Sequence, residues 1–441
     1  MKTTVTILTA IVLMLATLGL VMLASASPVQ SGSFLQDPFV KRQGLSVLLG
    51  LAALALASRV DYRQWKGFAL PIALFSMVLL VLVLVPGVGL NIKGSRRWLP
   101  LGPINMQPSE LTKLALILLM AWWMSRVQRK AAQLLHGLFW PLVLMGALTI
   151  LVFVEPDFGT SILLASVAFA MMFVGGSRVG LLMVTGAIGL SLFSVLVMMD
   201  AERMRRIIAF LNPEKYAKDE AFQLLNAIYA FVVGGPLGVG LGGSLQKHHY
   251  LPEAHTDFIF AIIGEEMGLV ASLGVLLLFI TFFVCGLRIS LRAPDSFGRL
   301  VAFGITTMVA LQAALNMGVV TGVLPTKGLP LPLISYGGTS MVVTLAMVGI
   351  LANIGWREGP GTPGHPGPGP APLRPGKLPV ASGPFSAIFI YPLKRINGMT
   401  DVLEIFRALS DEVRLRILAA VMGAELSVAE LVEVLGLPQS T

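Results

Sequence analysis

The sequence predicts an all-α, polytopic membrane protein with about ten transmembrane helices and a large extracytoplasmic loop. Three observations predict it. Apolar residues make up 55% of the 441 and charged residues only 12%, against roughly 25% charged in soluble domains. The mean hydropathy is +0.82. The apolar runs are unbroken and lack the period-two alternation of a membrane barrel, which leaves helices as the way to satisfy the backbone in lipid.

Taken in order, spans are predicted at 4–26, 45–60, 67–85, 109–125, 138–154, 159–175, 178–199, 257–287, 299–322 and 338–355. The first follows Lys2 and ends on Ala24-Ser25-Ala26, imitating a secretion signal. Its apolar core, 5–23, has 19 residues, longer than the ~7–15 of a signal peptide, so it reads as an uncleaved span. The span 257–287 is long enough for its first turns to project beyond the hydrocarbon.

An even count places both termini on one side. The short loops at 59–66, 126–130, 178 and 288–299 are basic, so the positive-inside rule makes that side cytoplasmic. The opposite side is basic as well, through Lys41 and Arg42, then Lys93, Arg96 and Arg97, then Arg203, Arg205 and Arg206. The chain carries +9, and the seven Lys/Arg and eight Asp/Glu after Arg357 leave +10 on the membrane part. Such a surface suits anionic headgroups or an anionic lipid substrate. The single cysteine, Cys285, lies in an apolar run, which excludes a disulfide framework and a Cys/His metal motif.

Information concentrates in the outer loops. Residues 86–108 contain Lys93-Gly-Ser-Arg-Arg-Trp98 and Gln107-Pro108; residues 155–160 read Glu-Pro-Asp-Phe-Gly-Thr. In the longest loop, 200–256, Phe222, Leu225, Ile228, Tyr229 and Val232 recur at helical spacing, predicting an interfacial amphipathic helix. The glycine-rich 234–243 has no βαβ unit around it, so it predicts close helix approach or a loop around a ligand, not a dinucleotide site. Residues 323–338 hold three prolines and predict irregular backbone, tolerated at membrane depth only beside protein or water. After Trp356 the composition changes: 358–398 is a Pro/Gly-rich linker. From Met399 to Thr441 short amphipathic helices and a capping box at Ser427–Glu430 form a separate segment.

Four constellations can carry chemistry. Glu110 and Lys113, at i and i+3, share a helix face; they are either a local ion pair or a fixed cation beside a polar cavity. Arg96, Arg97 and Trp98 are either an interfacial belt or a phosphate-binding fork. Glu155 and Asp157 flank a tight turn; they either cap it or contribute to a divalent cation site, for which two oxygen ligands fall short of a full set. The last is Leu251-Pro-Glu-Ala-His-Thr-Asp257 at the head of a span. Charged groups there are costly and usually functional. Either Thr256 caps a helix and Asp257 favours its positive end, or Asp257 is a base flanked by Glu253 and His255. Glu265 and Glu266 lie two to three turns deeper, packed between helices or lining a cavity.

These stretches resemble the SEDS family of bacterial wall-synthesis proteins. The motifs are Ser-Ala-Ser at 25–27, Lys-Gly-Ser-Arg-Arg-Trp at 93–98, Gln-Pro-Ser-Glu-Leu-Thr-Lys at 107–113, Glu-Pro-Asp-Phe-Gly-Thr at 155–160, Leu-Pro-Glu-Ala-His-Thr-Asp-Phe-Ile at 251–259 and Ile-Ser-Tyr-Gly-Gly at 334–338. They run over 1–357. Ala254 and Pro325-Thr-Lys-Gly328 resemble the division branch more than the elongation branch. The resemblance implies a multi-pass protein of the bacterial cytoplasmic membrane that polymerises lipid II, an undecaprenyl-pyrophosphate-linked disaccharide, on the outer side. It implies a class b penicillin-binding transpeptidase as partner, with other proteins of the division or elongation complex. It places the essential acid on Asp257 and the paired Glu and Lys on Glu110 and Lys113.

The expected mechanism has Asp257 take the proton of the acceptor 4-hydroxyl, which attacks the donor's anomeric carbon with inversion. Arg96, Arg97 and Lys113 hold the leaving pyrophosphate, with a divalent cation (Mg or Mn) held by Glu155 and Asp157 as an optional aid. Trp98, His255, Glu253, Ser335 and Tyr336 complete the expected substrate contacts. A lipid II flippase using Glu265 and Glu266 and a non-catalytic scaffold are the alternatives. The tail, 403–441, resembles the start of an ArsR-type winged helix that stops where the recognition helix should begin, so no nucleic acid is expected. It reads as a fusion or a frame artefact.

Overall fold

The computed structural model describes residues 1–26, 37–92, 95–101, 104–219, 221–246 and 255–357. The linker and ArsR-like segment, and Glu253, lie outside the described residues. Among the described residues twelve α-helices run α1 (Lys2–Ala26), α2 (Pro38–Arg59), α3 (Trp65–Leu84), α4 (Pro108–Arg126), α5 (Trp140–Val154), α6 (Phe158–Val174), α7 (Val179–Met198), α8 (Ala201–Leu211), α9 (Phe222–Gly234), α10 (Ile259–Leu291), α11 (Ser296–Val320) and α12 (Gly338–Trp356). Eight helical stretches are long and apolar enough to cross a membrane. The other two predicted spans are α4, which carries Glu110 and Lys113, and α6, which is 17 residues long. With them the ten predicted spans are all helices, and α8 and α9 belong to the long loop.

One feature was not predicted. Residues 90–106 form a small antiparallel meander, β1 (Leu90–Ile92), β2 (Ser95–Leu101) and β3 (Ile104–Met106), in the order β1-β2-β3. Its register pairs Trp98 with Leu90, Arg96 with Asn91 and Pro100 with Asn105. The second span also starts earlier than predicted. Asp37 caps α2 by accepting from Phe39 N at 2.8 Å and Pro38 occupies the first turn, so Lys41 and Arg42 lie on the helix and not in a loop.

The centre of the bundle is α4, α11 and α12. Every residue of α4 from Leu114 to Ala121 is buried. Lipid provides no hydrophobic force between helices, so close van der Waals packing must hold them. Small residues supply it. A Cβ on Gly349 would lie 2.5 Å from the Leu54 carbonyl of α2, and one on Gly304 would lie 2.8 Å from Ile117 of α4. At the other extreme α7 buries only Leu182.

The glycine-rich segment does what close approach predicts. α10 is broken at Gly268, whose φ of 78° is left-handed. The break frees backbone groups that lipid cannot satisfy. Residues 235–240 satisfy them: Val239 N and Gly240 N donate to the carbonyls of Glu265 and Glu266 at 3.0 Å, and Leu269 N and Val270 N donate to Gly235 O and Pro236 O at 2.9 and 3.2 Å. Glu265 and Glu266, both buried, hold the next stretch. Glu265 accepts from Ser244 Oγ and from Leu245 N at 2.9 Å, and Glu266 accepts from Ser25 Oγ at 2.5 and 2.7 Å. The predicted apolar stripe of α9 lies on its outward side, where an interfacial helix meets lipid. Leu224, Ala227, Ala230 and Gly234 are buried, while Tyr229 and Val232 of the predicted apolar stripe are 55% and 72% exposed. Packing against the small residues of α10 selected the small face of α9: Gly234 faces the Gly264 carbonyl, where a Cβ would sit at 2.0 Å.

Candidate functional site

The turn 255–258 is the centre of the site, and its local structure differs from the expected helix cap. α10 begins at Ile259 with Phe258 in the cap position and no side-chain capping bond. The reason is that the carbonyls of the turn are bonded elsewhere. Ser335 Oγ donates to Thr256 O at 2.6 Å, Tyr336 N donates to His255 O at 3.0 Å and Asn316 Nδ2 donates to Asp257 O at 2.8 Å. Thr256 is therefore not the cap, and Asp257 stands two residues ahead of the helix.

The clamp is the loop between α11 and α12. Leu331 N donates to Ser335 Oγ at 2.7 Å and Ser335 N to Leu331 O at 3.0 Å. Buried Leu333 adopts φ 66°, a left-handed conformation that costs roughly 1–2 kcal/mol for a residue with a Cβ. Such strain persists where the surroundings over-determine it. Here α1 does so: Gly19 lies so close to Ile334 that a Cβ would sit 2.7 Å from its backbone. From α2, Gln43 Nε2 donates to Ser335 O at 3.3 Å and Gly337 N donates to Gln43 Oε1 at 3.1 Å. Phe39 packs its ring against His255 and Tyr336, with centroids 5.3 and 5.4 Å apart.

Asp257 is half-buried and lies against Gly328. A Cβ on Gly328 would sit 2.9 Å from Asp257 Oδ2. The preceding residue, Lys327, holds its ammonium 5.6 Å from the Phe193 ring of α7. Burial lowers its pKa from the ordinary lysine value.

The predicted Glu110–Lys113 pair is formed. Lys113 Nζ lies 2.7 Å from Glu110 Oε1 and 2.8 Å from Gln312 Oε1, and both charged residues are buried. Gln312 Nε2 then donates to Pro330 O at 2.8 Å, and Asn316, one turn on, also holds Leu329 O at 2.7 Å. The ammonium of Lys113 thus braces the clamp through Gln312. Removing one partner of a buried pair leaves an uncompensated charge and costs roughly 3–5 kcal/mol. Lys113→Met is expected to lower the thermal midpoint in detergent sharply, and Glu110→Gln/Lys113→Met is expected to recover much of the loss. A double variant no more stable than the single one would show that the charge pair is not what matters.

The remaining motifs meet at the turn between α5 and α6. Arg97 donates from Nε to Glu155 O at 2.9 Å and from Nη2 to Pro156 O at 2.8 Å. Asp157 caps α6 by accepting from Thr160 N at 3.2 Å, and Ser109 Oγ of α4 reaches Asp157 Oδ2 at 3.5 Å. Gly159 abuts the clamp, its missing Cβ 2.9 Å from Leu329 Cγ. Arg203 of α8 lays its guanidinium 3.4 Å from the Phe158 ring centroid. Arg96 and Trp98 on β2 are half-buried, and Arg96 has no carboxylate partner among the described residues.

Glu155 is fully buried, and neither carboxylate oxygen has a hydrogen-bond donor. Burial first, then the neighbouring Asp157 charge, push its pKa up to about 8, with Arg97 opposing. The folded chain keeps a proton that the unfolded chain loses near pH 4.5, so stability falls as pH rises from there through about 8. Glu155→Gln is expected to remove this component. Its advantage over wild type in unfolding free energy should grow from pH 5 to about pH 8 and then level off, reaching a few kcal/mol at roughly 1.4 kcal/mol per pH unit. A constant difference across that range would contradict the buried neutral acid. As a divalent cation site the pair does not fit. Among the described residues no three His, Cys, Asp or Glu converge, Asp157 is committed to its cap, and an arginine stands beside Glu155.

Sequence reasoning missed Phe39, Gln43, Gln312, Asn316, Lys327 and Gly328 as site residues. Gln312 and Asn316 carried a usable signal, since polar residues one turn apart in a spanning helix rarely lack a partner.

Comparison with known proteins places this geometry. The cell cycle protein family FtsW/RodA/SpoVE matches residues 5–358. A probable peptidoglycan glycosyltransferase FtsW of Geobacter metallireducens is 44% identical over 347 residues, 78% of this chain and 92% of the relative. Stage V sporulation protein E of Bacillus subtilis is 40% identical, covering 79% and 96%. Among solved structures, a chain of a peptidoglycan synthase complex described as coordinating polymerization and crosslinking superposes with a TM-score of 0.66 at 30% identity, over 80% of this chain and 97% of that one. Rod shape determining protein RodA of Thermus thermophilus gives 0.59 at 29%, over 80% and 96%.

Proposed function

The chain belongs to the FtsW/RodA/SpoVE family of cell cycle proteins, and from that premise we propose that it polymerises lipid II at Asp257. It is a peptidoglycan glycosyltransferase of septal wall synthesis and a multi-pass protein of the cytoplasmic membrane, as its 44%-identical FtsW relatives support. The observation that carries the site is convergence. The motifs at 107–113, 155–160, 255–259 and 334–338 come from four separate parts of the chain, and the bonds described above join them around one half-buried carboxylate.

In the proposed step the GlcNAc 4-hydroxyl of the acceptor approaches Asp257 Oδ2 on the open face left by Gly328. Oxygen bonds to the donor's anomeric carbon as the bond from that carbon to the pyrophosphate breaks, with inversion. The hydroxyl proton passes to Asp257, and the undecaprenyl pyrophosphate leaves as an anion. The cations suited to receive it are Arg96, which has no carboxylate partner, and Lys327, beside Gly328. Arg97 and Lys113 hold the surrounding backbone and loop in place. Ser335 and Tyr336 hold the turn, and His255 packs with them.

Orientation follows from charge. Arg292 Nη1 reaches Met1 Sδ and Arg357 pairs with Asp61, so Met1 and Arg357 lie at the end of the bundle away from Asp257. The loops there carry Arg59, Arg63, Lys66, Arg126, Arg288 and Arg299 against Asp61 and Asp295. By the positive-inside rule that end is cytoplasmic and Asp257 is extracytoplasmic. The partner is a class b penicillin-binding transpeptidase, a reading supported by the similarity to the synthase complex. The flippase alternative rested on Glu265 and Glu266 and on the broken backbone at 323–338. The two acids bind the 244–245 segment and Ser25, and the 323–338 backbone holds the Asp257 turn through Ser335 and Tyr336, which favours the polymerase reading. The test is formation of glycan strands from purified lipid II by the full chain and its Asp257→Asn variant.

A further inference from the structure

At the end of the bundle opposite Asp257, a cavity of about 350 Å³ opens between the first turns of α3 and α11 and the last turn of α4. Arg63, Lys66, Ser125, Asp295, Ser296 and Phe297 line it. The one acid among these lining residues is already engaged by the fold. Asp295 Oδ1 accepts from Gly298 N at 2.7 Å, capping α11, and Oδ2 accepts from Tyr62 Oη at 2.7 Å. The helix dipole offsets its charge as well. Arg63 touches it through Nε alone, at 3.5 Å. The guanidinium's terminal nitrogens therefore keep their donors for another acceptor. Lys66 lies 6.0 Å from the Phe297 ring centroid and has no carboxylate partner among the described residues.

The cavity thus presents two available cations, the hydroxyls of Ser125 and Ser296 and an aromatic floor, at the level where spanning helices end. Ser296 Oγ donates to Gln128 Oε1 at 2.7 Å, so its oxygen remains an acceptor for a glycerol hydroxyl. A point charge and a guanidinium fork side by side match a phosphate. Basic pockets between spanning helices at the membrane surface are suited to anionic headgroups. We propose that this cavity binds the phosphodiester headgroup of an anionic phospholipid such as phosphatidylglycerol. The acyl chains would run along the exposed apolar surface of α3, where Phe68 and Phe75 are 57% and 56% exposed. A site here is separate from polymerisation and does not depend on the role given to Asp257.

The test is native mass spectrometry of the full, delipidated chain titrated with phosphatidylglycerol and, separately, phosphatidylcholine. Lys66 makes no hydrogen bond or ion pair in the fold among the described residues, so Lys66→Gln should fold as wild type. It is expected to lose roughly fivefold in phosphatidylglycerol affinity, and Arg63→Gln/Lys66→Gln roughly 30-fold, the values for one and two membrane-proximal cations. Lys130→Gln, at the same end but off the cavity, should bind as wild type. Equal losses in Lys130→Gln would mean diffuse surface charge and overturn the proposal. So would equal affinity for phosphatidylcholine, unchanged binding by the double variant, or displacement of the lipid by inorganic phosphate at equimolar concentration, which would make the site one for free phosphate.

Discussion

Asp257→Asn is expected to reduce the rate of glycan polymerisation by roughly 10²–10⁴-fold, the range for removing a general base, with lipid II binding and thermal midpoint close to wild type. Asparagine keeps the size of the side chain but removes its charge and its ability to take a proton. The backbone of residue 257 is held by Asn316 and that of residue 256 by Ser335, and both bonds persist in the variant. Initial rates at saturating lipid II, measured beside melting curves, check both halves. A comparable fall in melting temperature would assign the residue a structural role.

Gly328→Ala is expected to lose roughly 10²-fold in rate with little change in stability. The new methyl would lie 2.9 Å from Asp257 Oδ2, and that oxygen is the end of a rotatable side chain. The fold can yield cheaply there, but the carboxylate must move, and misplacement by about 1 Å costs about that factor. Gly328 is exposed and its backbone lies outside the left-handed region, so nothing else opposes alanine. Gly337→Ala is the control. It lies in the same loop, but its nearest neighbour would be Ser340 Cβ at 3.5 Å, an ordinary contact, and activity should persist. Equal losses in both variants would indicate general sensitivity of the loop.

The spanning helices were legible because lipid imposes one rule on every segment: an apolar run must satisfy its own backbone. The meander at 90–106 was not, because its strands of three to seven residues are short, carry two Arg and a Pro, and show no clean alternation. α8 mixes four charged residues into eleven, and its start became plain only with Asp200 accepting from Glu202 N and Arg203 N. For the site, the sequence pointed to Asp257, Glu110 and Lys113 but could not divide roles among them. From sequence alone Lys113 reads equally as a phosphate ligand or a brace, and the Gln312 contact supports the brace. Gln312 and Gln43 hold the clamp, and Asn316 and Gly328 meet the turn, from sequence separations that local pattern does not encode. The expected helix cap failed for the same reason, since carbonyls that would have entered α10 are claimed by residues about 60 to 80 positions away.

The most direct measurement supplies purified lipid II in detergent, with no second compartment, to the full chain together with its cognate transpeptidase blocked at its crosslinking serine. Wild-type chain should yield long glycan strands, and Asp257→Asn, folded and still bound to the transpeptidase, should yield none above background. Strands of equal length and rate from the two proteins, or none from wild type, would contradict polymerisation at Asp257.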